Sequence, residues 1–209
     1  MEIDVMRQIG AVNREVSSRD ENGKRARVAV VSRAYPTTTD DLWDAVTSAE
    51  RIPRWFLPVS GDLRLGGRYQ LEGNAAGSIL ECERPSRFKI TWEYGGETSW
   101  LDVRIAPEGS GARLTLEHVA HVKDEWWDQY GPGATGVGWD LALLGLGQHI
   151  ENRTAKTAEE GMTWMLSENG KSYVRASSAA WEHASVASGT DARAAAEAAA
   201  RTTAFYTGA

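Results

Sequence analysis

The stretch from Asp40 to Pro58 constrains the fold of this 209-residue chain more than any other. Its first apolar residues recur at helical spacing behind a threonine that caps the opening amides, either Thr38 or Thr39. A second short helix is expected over residues 48–56, because Pro53 limits its length. Two brief helices, each with a tryptophan, need a curved surface to pack against, and the following residues supply strands.

The flanking segments alternate between strand and turn signals. Residues 27–34 predict the first main strand, preceded by a short helix over 3–9, a possible hairpin arm over 12–19 and a turn at 20–23. After the two short helices, glycine-rich and proline-containing turns separate further strands with period-two apolar alternation, which predicts an antiparallel meander. These strands are expected at residues 62–65, 68–72, 78–83, 87–94, 99–106 and 112–118.

A long helix is expected to cover the apolar face of this meander. Residues 137–150 carry an apolar stripe at helical spacing, although Gly138, Gly145 and Gly147 weaken the helix intrinsically. Such glycines permit close approach to a neighbouring backbone or leave room for a bound molecule. Residues 126–127 are expected to be irregular. Two more helices are predicted over 171–186 and 191–205, the last capped by Thr190.

This order of elements resembles the helix-grip fold of the START-like (Bet v 1-like, SRPBCC) superfamily. More narrowly, it resembles the bacterial branch related to the C-terminal domain of the activator of heat-shock protein 90 ATPase. The resemblance implies an α+β fold in which a curved antiparallel sheet wraps round a long helix. The motifs that carry it are Asp-Leu-Trp-Asp-Ala-Val-Thr at 41–47, Glu-Arg-Ile-Pro-Arg-Trp-Phe at 50–56, Gly-Gly-Arg-Tyr at 66–69, the turn at Pro85 with residues 88–92, residues 111–118, and Gly-Val-Gly-Trp at 136–139.

The residue pattern and the resemblance together predict a domain organisation. The pattern predicts an N-terminal helix and hairpin arm over residues 1–26, and the resemblance implies a helix-grip domain over 27–151 followed by a helical extension over 152–209. The extension resembles one seen in actinobacterial members. Its alanine-rich faces favour close helix packing, so it is expected to pack on its own domain. A homodimer through these helices is the alternative.

In a helix-grip domain the space between sheet and long helix can hold an apolar molecule. Trp43, Trp55 and Phe56 would close one end of that space. By alternation and helical spacing, the expected ligand-binding residues are Tyr69, Phe88, Ile90, Trp92, Leu101, Val103, Leu116, His118, Trp139, Leu143 and Leu146. The plain alternative is that these side chains simply fill a core, as the nine tryptophans of the chain also allow.

His118 is the one candidate catalytic residue. A histidine on an inward face can act as an acid, a base or a hydrogen-bond donor, and Glu81 or Tyr69 would orient it. A buried histidine with satisfied hydrogen bonds is the competing interpretation. Three functions therefore stay open. They are binding of a small apolar or amphipathic molecule, a cyclase- or dehydratase-type reaction using His118, and a co-chaperone-like interaction module.

Composition limits the partners. The formal net charge of −6 argues against nucleic acid or an anionic membrane surface as partner. Cys82 is the single cysteine, which favours a cytoplasmic location. No run of residues reaches membrane-spanning length. The four histidines are scattered without metal-ligand spacing, so neither a metal nor a cofactor is expected.

Overall fold

The computed structural model describes residues 2–21, 23–152 and 157–208. Asn22 of the predicted turn and residues 153–156 of the predicted extension lie outside these ranges. The helices are α1 (Val5–Gly10), α2 (Thr39–Thr47), α3 (Asp124–Tyr130), α4 (Gly133–Asn152), α5 (Ala158–Leu166), α6 (Glu168–Ala187) and α7 (Ala192–Thr207). The strands are β1 (Val12–Glu21), β2 (Lys24–Tyr35), β3 (Val59–Gly61), β4 (Arg68–Leu71), β5 (Ala76–Glu83), β6 (Arg87–Tyr94), β7 (Glu97–Glu108) and β8 (Gly111–Ala120).

The eight strands form one open sheet in the order β1-β2-β8-β7-β6-β5-β4-β3. Each pair of neighbours from β3 to β8 is antiparallel, as short turns between strands require. The two hairpin strands β1 and β2, the meander and the long helix α4 follow the predicted order. The predicted α+β helix-grip fold is therefore confirmed.

Close contacts divide the chain into two compact units. Unit 1 contains Met1–Val31, His121–Leu141 and Glu159–Ala209, and unit 2 contains Ser32–Ala120 and Ala142–Ala158. The division falls inside β2 and inside α4. Unit 2 thus holds α2, strands β3 to β8 and the second half of α4. Unit 1 holds α1, β1, α3, the first half of α4 and the last three helices.

The helix α2 begins as the sequence predicts. The Thr38 side chain accepts a hydrogen bond from the amide of Asp41 at 3.2 Å, and two aspartates in the first turn complement the helix dipole. Leu42 and Trp43 are buried, and α2 packs on β7 and β8. The second predicted helix is reduced to a single 3-10 turn over Ile52–Arg54, since Pro53 prevents a longer hydrogen-bonded run.

Three local predictions are wrong. Residues 62–65 form no strand, because the Asp62 side chain accepts from the Arg64 amide at 3.1 Å and so stabilises a turn. Residues 126–127 lie in α3 rather than in an irregular segment. The side chain of Asp191, not Thr190, caps α7 by accepting from the Ala194 amide at 3.0 Å.

Among the residues that the structure describes, no helix is both long and apolar enough to cross a membrane.

Candidate functional site

One face of the β6-β7-β8 meander collects most of the predicted ligand-binding side chains. Directly paired residues of neighbouring strands project to the same face of a sheet. Phe88 pairs with Val103, which pairs with Leu116. Ile90 pairs with Leu101, which pairs with His118. We call the surface formed by these rows the inner face; its members are Tyr69, Ile79, Phe88, Ile90, Trp92, Ser99, Leu101, Val103, Leu116 and His118.

A third row of the inner face extends to the edge strands. Trp92 pairs with Ser99, while Tyr69 of β4 pairs with Gly77 of β5. A side chain at Gly77 would collide with the carbonyl oxygen of Thr91 and with the Tyr69 ring, so the glycine is needed for this close approach. The Tyr69 hydroxyl donates to the Thr91 carbonyl oxygen at 2.7 Å. Burial raises the pKa of Tyr69, which keeps this hydroxyl neutral and donating.

His118 is the buried polar group of the inner face and is 7% exposed. Its Nε2 lies 2.8 Å from the Ser99 hydroxyl, which donates its own proton to the Trp92 carbonyl oxygen at 3.1 Å. Because the serine proton is used there, His118 donates from Nε2 to the serine oxygen. Burial lowers the pKa of His118 to about 4, so the imidazole is neutral at pH 7.

The orienting partner of His118 is not one of the two that the sequence suggested. A bulge between Ile79 and Glu81 shifts the register of β5, and Glu81 then pairs with Lys89. The Glu81 carboxylate forms an ion pair with Arg87 at 2.7 Å, on the charged face opposite the inner face. Strict alternation along β7 places Ser99 on the same face as Leu101, so the sequence did carry a signal for Ser99.

An aromatic side chain of α2 contacts the inner face, and two more aromatic side chains follow in the next turn. Trp43 and Phe88 form an edge-to-face pair with ring centroids 5.8 Å apart. Trp55 and Phe56 stack at 5.5 Å. The Trp55 indole also donates to the Ala45 carbonyl oxygen at 2.9 Å, which fixes the turn against α2.

The second half of α4 is tightly held within unit 2. Leu143 and Leu146 are 3% and 0% exposed. The Tyr35 hydroxyl donates to the Leu143 carbonyl oxygen at 3.2 Å. A Cβ at Gly145 would lie 2.4 Å from the carbonyl oxygen of Trp55, so this glycine serves the close backbone approach that the sequence allowed. Trp139, the remaining predicted ligand-binding residue, lies in the half of α4 that belongs to unit 1 and is buried there.

Exposure is uneven across the inner face. The apolar side chains on β7 and β8 are almost completely covered, with Leu101 at 2% and Val103 at 4%. Ile79, Phe88 and Trp92 on β5 and β6 are only half-buried, although Ile90 and Tyr69 beside them are 9% and 6% exposed. The accessible apolar part of the inner face is therefore a patch of three side chains.

A second buried polar centre lies in unit 1, around Asp140 of α4. This carboxylate is 0% exposed and faces the Arg14 Nε at 3.0 Å. The Ser177 hydroxyl and the Trp181 indole also donate to it, the latter at 3.2 Å. Burial raises the pKa of Asp140, while Arg14 and the other donors lower it. Arg14 and Asp140 are 126 residues apart, so no local pattern in the sequence indicates this centre.

Within the described ranges, no three His, Cys, Asp or Glu side chains are close enough together to hold a metal ion. Cys82 is exposed as a free thiol on β5. The candidate site is thus built from apolar side chains with a neutral histidine, a serine and a tyrosine. Such a surface can bind and orient a mainly apolar molecule.

An open antiparallel sheet with an apolar inner face and a long helix defines this protein as a START-like helix-grip protein. Comparison with known sequences is more specific. The family described as "Activator of Hsp90 ATPase homolog 1-like protein" matches residues 36–151. The chain belongs to this family.

Solved structures agree with this assignment. The crystal structure of CalU16 from Micromonospora echinospora is 35% identical, with a TM-score of 0.61 over 78% of this chain and 96% of that chain. The solution structure of CalU16 gives 31% identity and a TM-score of 0.63 over 85% and 97% of the two chains. Protein MLL2253 from Mesorhizobium loti shares the fold at 21% identity, with a TM-score of 0.54 over 62% of this chain and 100% of that chain. No protein with a curated description matches the chain.

Proposed function

We propose that this protein binds a small apolar or amphipathic molecule on the inner face, between the sheet and the second half of α4. The observation that carries the proposal is the half-buried apolar patch formed by Ile79, Phe88 and Trp92. A surface that served only as core would be covered across its whole width. Proteins with this fold commonly bind hydrophobic ligands, which supports the proposal.

The physical basis is burial of the exposed apolar area. Each Å² of apolar surface removed from water contributes about 25 cal/mol, so a ligand that covers this patch gains affinity without any specific polar contact. The ligand-binding set comprises the inner-face residues predicted from the sequence together with Leu143 and Leu146. The polar groups Ser99, His118 and Tyr69 would then select the orientation of the polar end of an amphipathic ligand.

The first test identifies a ligand directly. The protein is purified, denatured and extracted, and the released fraction is analysed by mass spectrometry for a stoichiometric small molecule. In parallel, thermal unfolding is measured with dodecanoate and dodecanol as defined probes. A probe at a hundred times its Kd stabilises the folded state by about 2.7 kcal/mol. No extracted molecule and no thermal shift with either probe would contradict the proposal.

A matched pair of tryptophans locates the binding. Trp92 and Trp100 are both half-buried and lie on neighbouring strands. Trp92 pairs with Ser99 and belongs to the inner face, whereas Trp100 pairs with Thr91 and belongs to the opposite face. Trp92→Leu is expected to weaken dodecanoate binding about tenfold, through lost ring contacts of about 1.4 kcal/mol. Trp100→Leu should leave it unchanged, and equal effects would place the ligand elsewhere.

The contact between His118 and Ser99 supports a second candidate, an enzyme of the cyclase or dehydratase type. A neutral imidazole whose Nε2 hydrogen bond is transferred from the Ser99 oxygen to a carbonyl oxygen of a bound molecule can polarise that carbonyl. With a pKa of about 4 it is a weak general base, which favours the hydrogen-bonding role over proton abstraction. His118→Gln separates the two candidates. An enzyme would lose turnover and retain binding, while a binding protein would show no turnover to lose.

A further inference from the structure

Unit 1 contains a pocket of about 300 Å³ whose lining includes none of the inner-face residues. Side chains of α3, α6 and α7, together with Arg27 of β2, line it. This volume is at the lower end of the range for small-molecule sites, which suits a ligand of one ring rather than a long chain. Every lining residue belongs to unit 1.

The walls of this pocket are largely aromatic and apolar. Trp127 and Tyr130 of α3 are half-buried, and alanines of α7 form the facing wall. Trp181 of α6 is 1% exposed, and its indole nitrogen is held by the Asp140 carboxylate at 3.2 Å. Because its indole is fixed in this way, Trp181 provides a rigid surface for a planar ligand.

Polar groups on α6 face the same pocket. Ser178, Trp181, Glu182 and Ser185 have the spacing i, i+3, i+4 and i+7, so they share one side of the helix. The Ser178 side chain is 2% exposed, and its hydroxyl has no hydrogen-bond partner within the described part of the chain. Buried hydroxyls are normally satisfied, so this unpartnered group points to a ligand atom that completes it.

Charge indicates which ligand chemistry the pocket favours. Arg27 is already paired with Asp124 at 3.0 Å and lies 4.7 Å from the centre of the Trp127 ring. Glu182, in contrast, is half-buried and makes no ion pair or hydrogen bond among the residues that the structure describes. Asp128 adds a second carboxylate to the lining. The uncompensated charge is therefore negative, next to aromatic faces that attract cations.

We propose that this pocket binds a small amine with an aromatic ring. The ammonium group would donate to the Glu182 carboxylate and to the Ser178 hydroxyl oxygen, and the ring would lie against Trp127, Tyr130 and Trp181. No residue of this site belongs to the inner face.

Three probes of similar shape and different charge test the proposal by calorimetry on the full chain. They are 2-phenylethylamine, the neutral 2-phenylethanol and the anionic phenylacetate. The amine is expected to bind more tightly than the alcohol, and phenylacetate is expected not to bind.

Loss of a hydrogen bond to a charged group weakens binding by about 10- to 100-fold, which is the effect expected for Glu182→Gln. Glu168→Gln is the control, because Glu168 lies on the same helix, is exposed and does not line the pocket.

A second pair of variants tests the location without removing the charge. Ala194 and Ala196 are both exposed on α7, and only Ala194 lines the pocket. Ala194→Phe should abolish binding of 2-phenylethylamine by occupying the space, while Ala196→Phe should not affect it. The proposal is overturned if none of the three probes binds, if the alcohol or phenylacetate binds as tightly as the amine, or if both Glu182→Gln and Ala194→Phe retain the wild-type Kd.

Discussion

Two buried polar centres, Asp140 in unit 1 and His118 in unit 2, differ in charge and in how they are enclosed. Asp140 is a carboxylate that receives hydrogen bonds from Arg14, Ser177 and Trp181. His118 is a neutral imidazole bonded to Ser99 on a face that carries a half-buried apolar patch. The first arrangement suits a structural role, since its donors come from elements far apart in the chain. The second arrangement places a neutral polar side chain beside an accessible apolar surface.

The largest effect is expected at the charged centre. Asp140→Asn leaves the guanidinium of Arg14, whose side chain is 5% exposed, without its carboxylate. Removing one partner of a buried ion pair typically costs about 3–5 kcal/mol. Urea denaturation should therefore show a loss of that size in the free energy of unfolding.

Asp124→Asn is the control for this substitution. Asp124 pairs with Arg27 at the same 3.0 Å distance but is 81% exposed, so its replacement should cost at most about 1 kcal/mol. Equal losses for the two variants would show that Asp140 is not the structural centre described above.

The next effect concerns His118 and pH. In the folded protein burial lowers its pKa from 6.5 to about 4, so the unfolded chain binds the proton first as the pH falls. Stability should therefore decrease as the pH drops from about 6.5 to about 4, by about 3 kcal/mol from this residue. The free energy of unfolding of wild type minus that of His118→Gln, measured across this window, isolates the contribution. A difference that stays constant with pH would contradict the buried, neutral state of His118.

A smaller effect is expected from a substitution that disturbs the packing around the Asp140 centre. Gly136 lies beneath the Trp181 ring, and a Cβ there would be 2.1 Å from the nearest ring atom. Gly136→Ala should displace the indole that donates to Asp140 and cost about 1–3 kcal/mol in thermal unfolding. Gly161→Ala in α5 meets nothing within 4 Å and should be neutral or stabilise by up to about 1 kcal/mol. A harmless Gly136→Ala would mean that the Asp140 centre is loosely packed.

The sequence predicted features that depend on local periodicity. Alternation along β6, β7 and β8 correctly grouped Phe88, Leu101 and His118 on one face, because a side-chain period of two is a property of any strand. The helical stripe identified α4, although α4 begins four residues earlier and ends two residues later than predicted. The turn around Asp62 was missed because one side-chain hydrogen bond outweighed a weak apolar alternation.

Features that depend on distant contacts could not be predicted. The bulge in β5 moved Glu81 to the charged face, and nothing in the residues from Ile79 to Glu81 marks the irregularity. The Asp140 centre joins β1, α4 and α6, and its only sequence signal was a lone carboxylate in an apolar helix. The amine pocket likewise joins residues 27, 127 and 182, whose proximity arises only in the folded chain.

The most direct test of the proposed function is a methyl-detected NMR titration of the full chain with dodecanoate. The largest shifts are expected at the inner-face methyl groups of Ile79, Ile90 and Leu101, and they should saturate at one equivalent of dodecanoate per protein. Ala195 and Ala198 of α7, which line the separate pocket in unit 1, should not shift. Shifts confined to the α7 alanines, or no saturable shifts at the inner face, would contradict the proposed function.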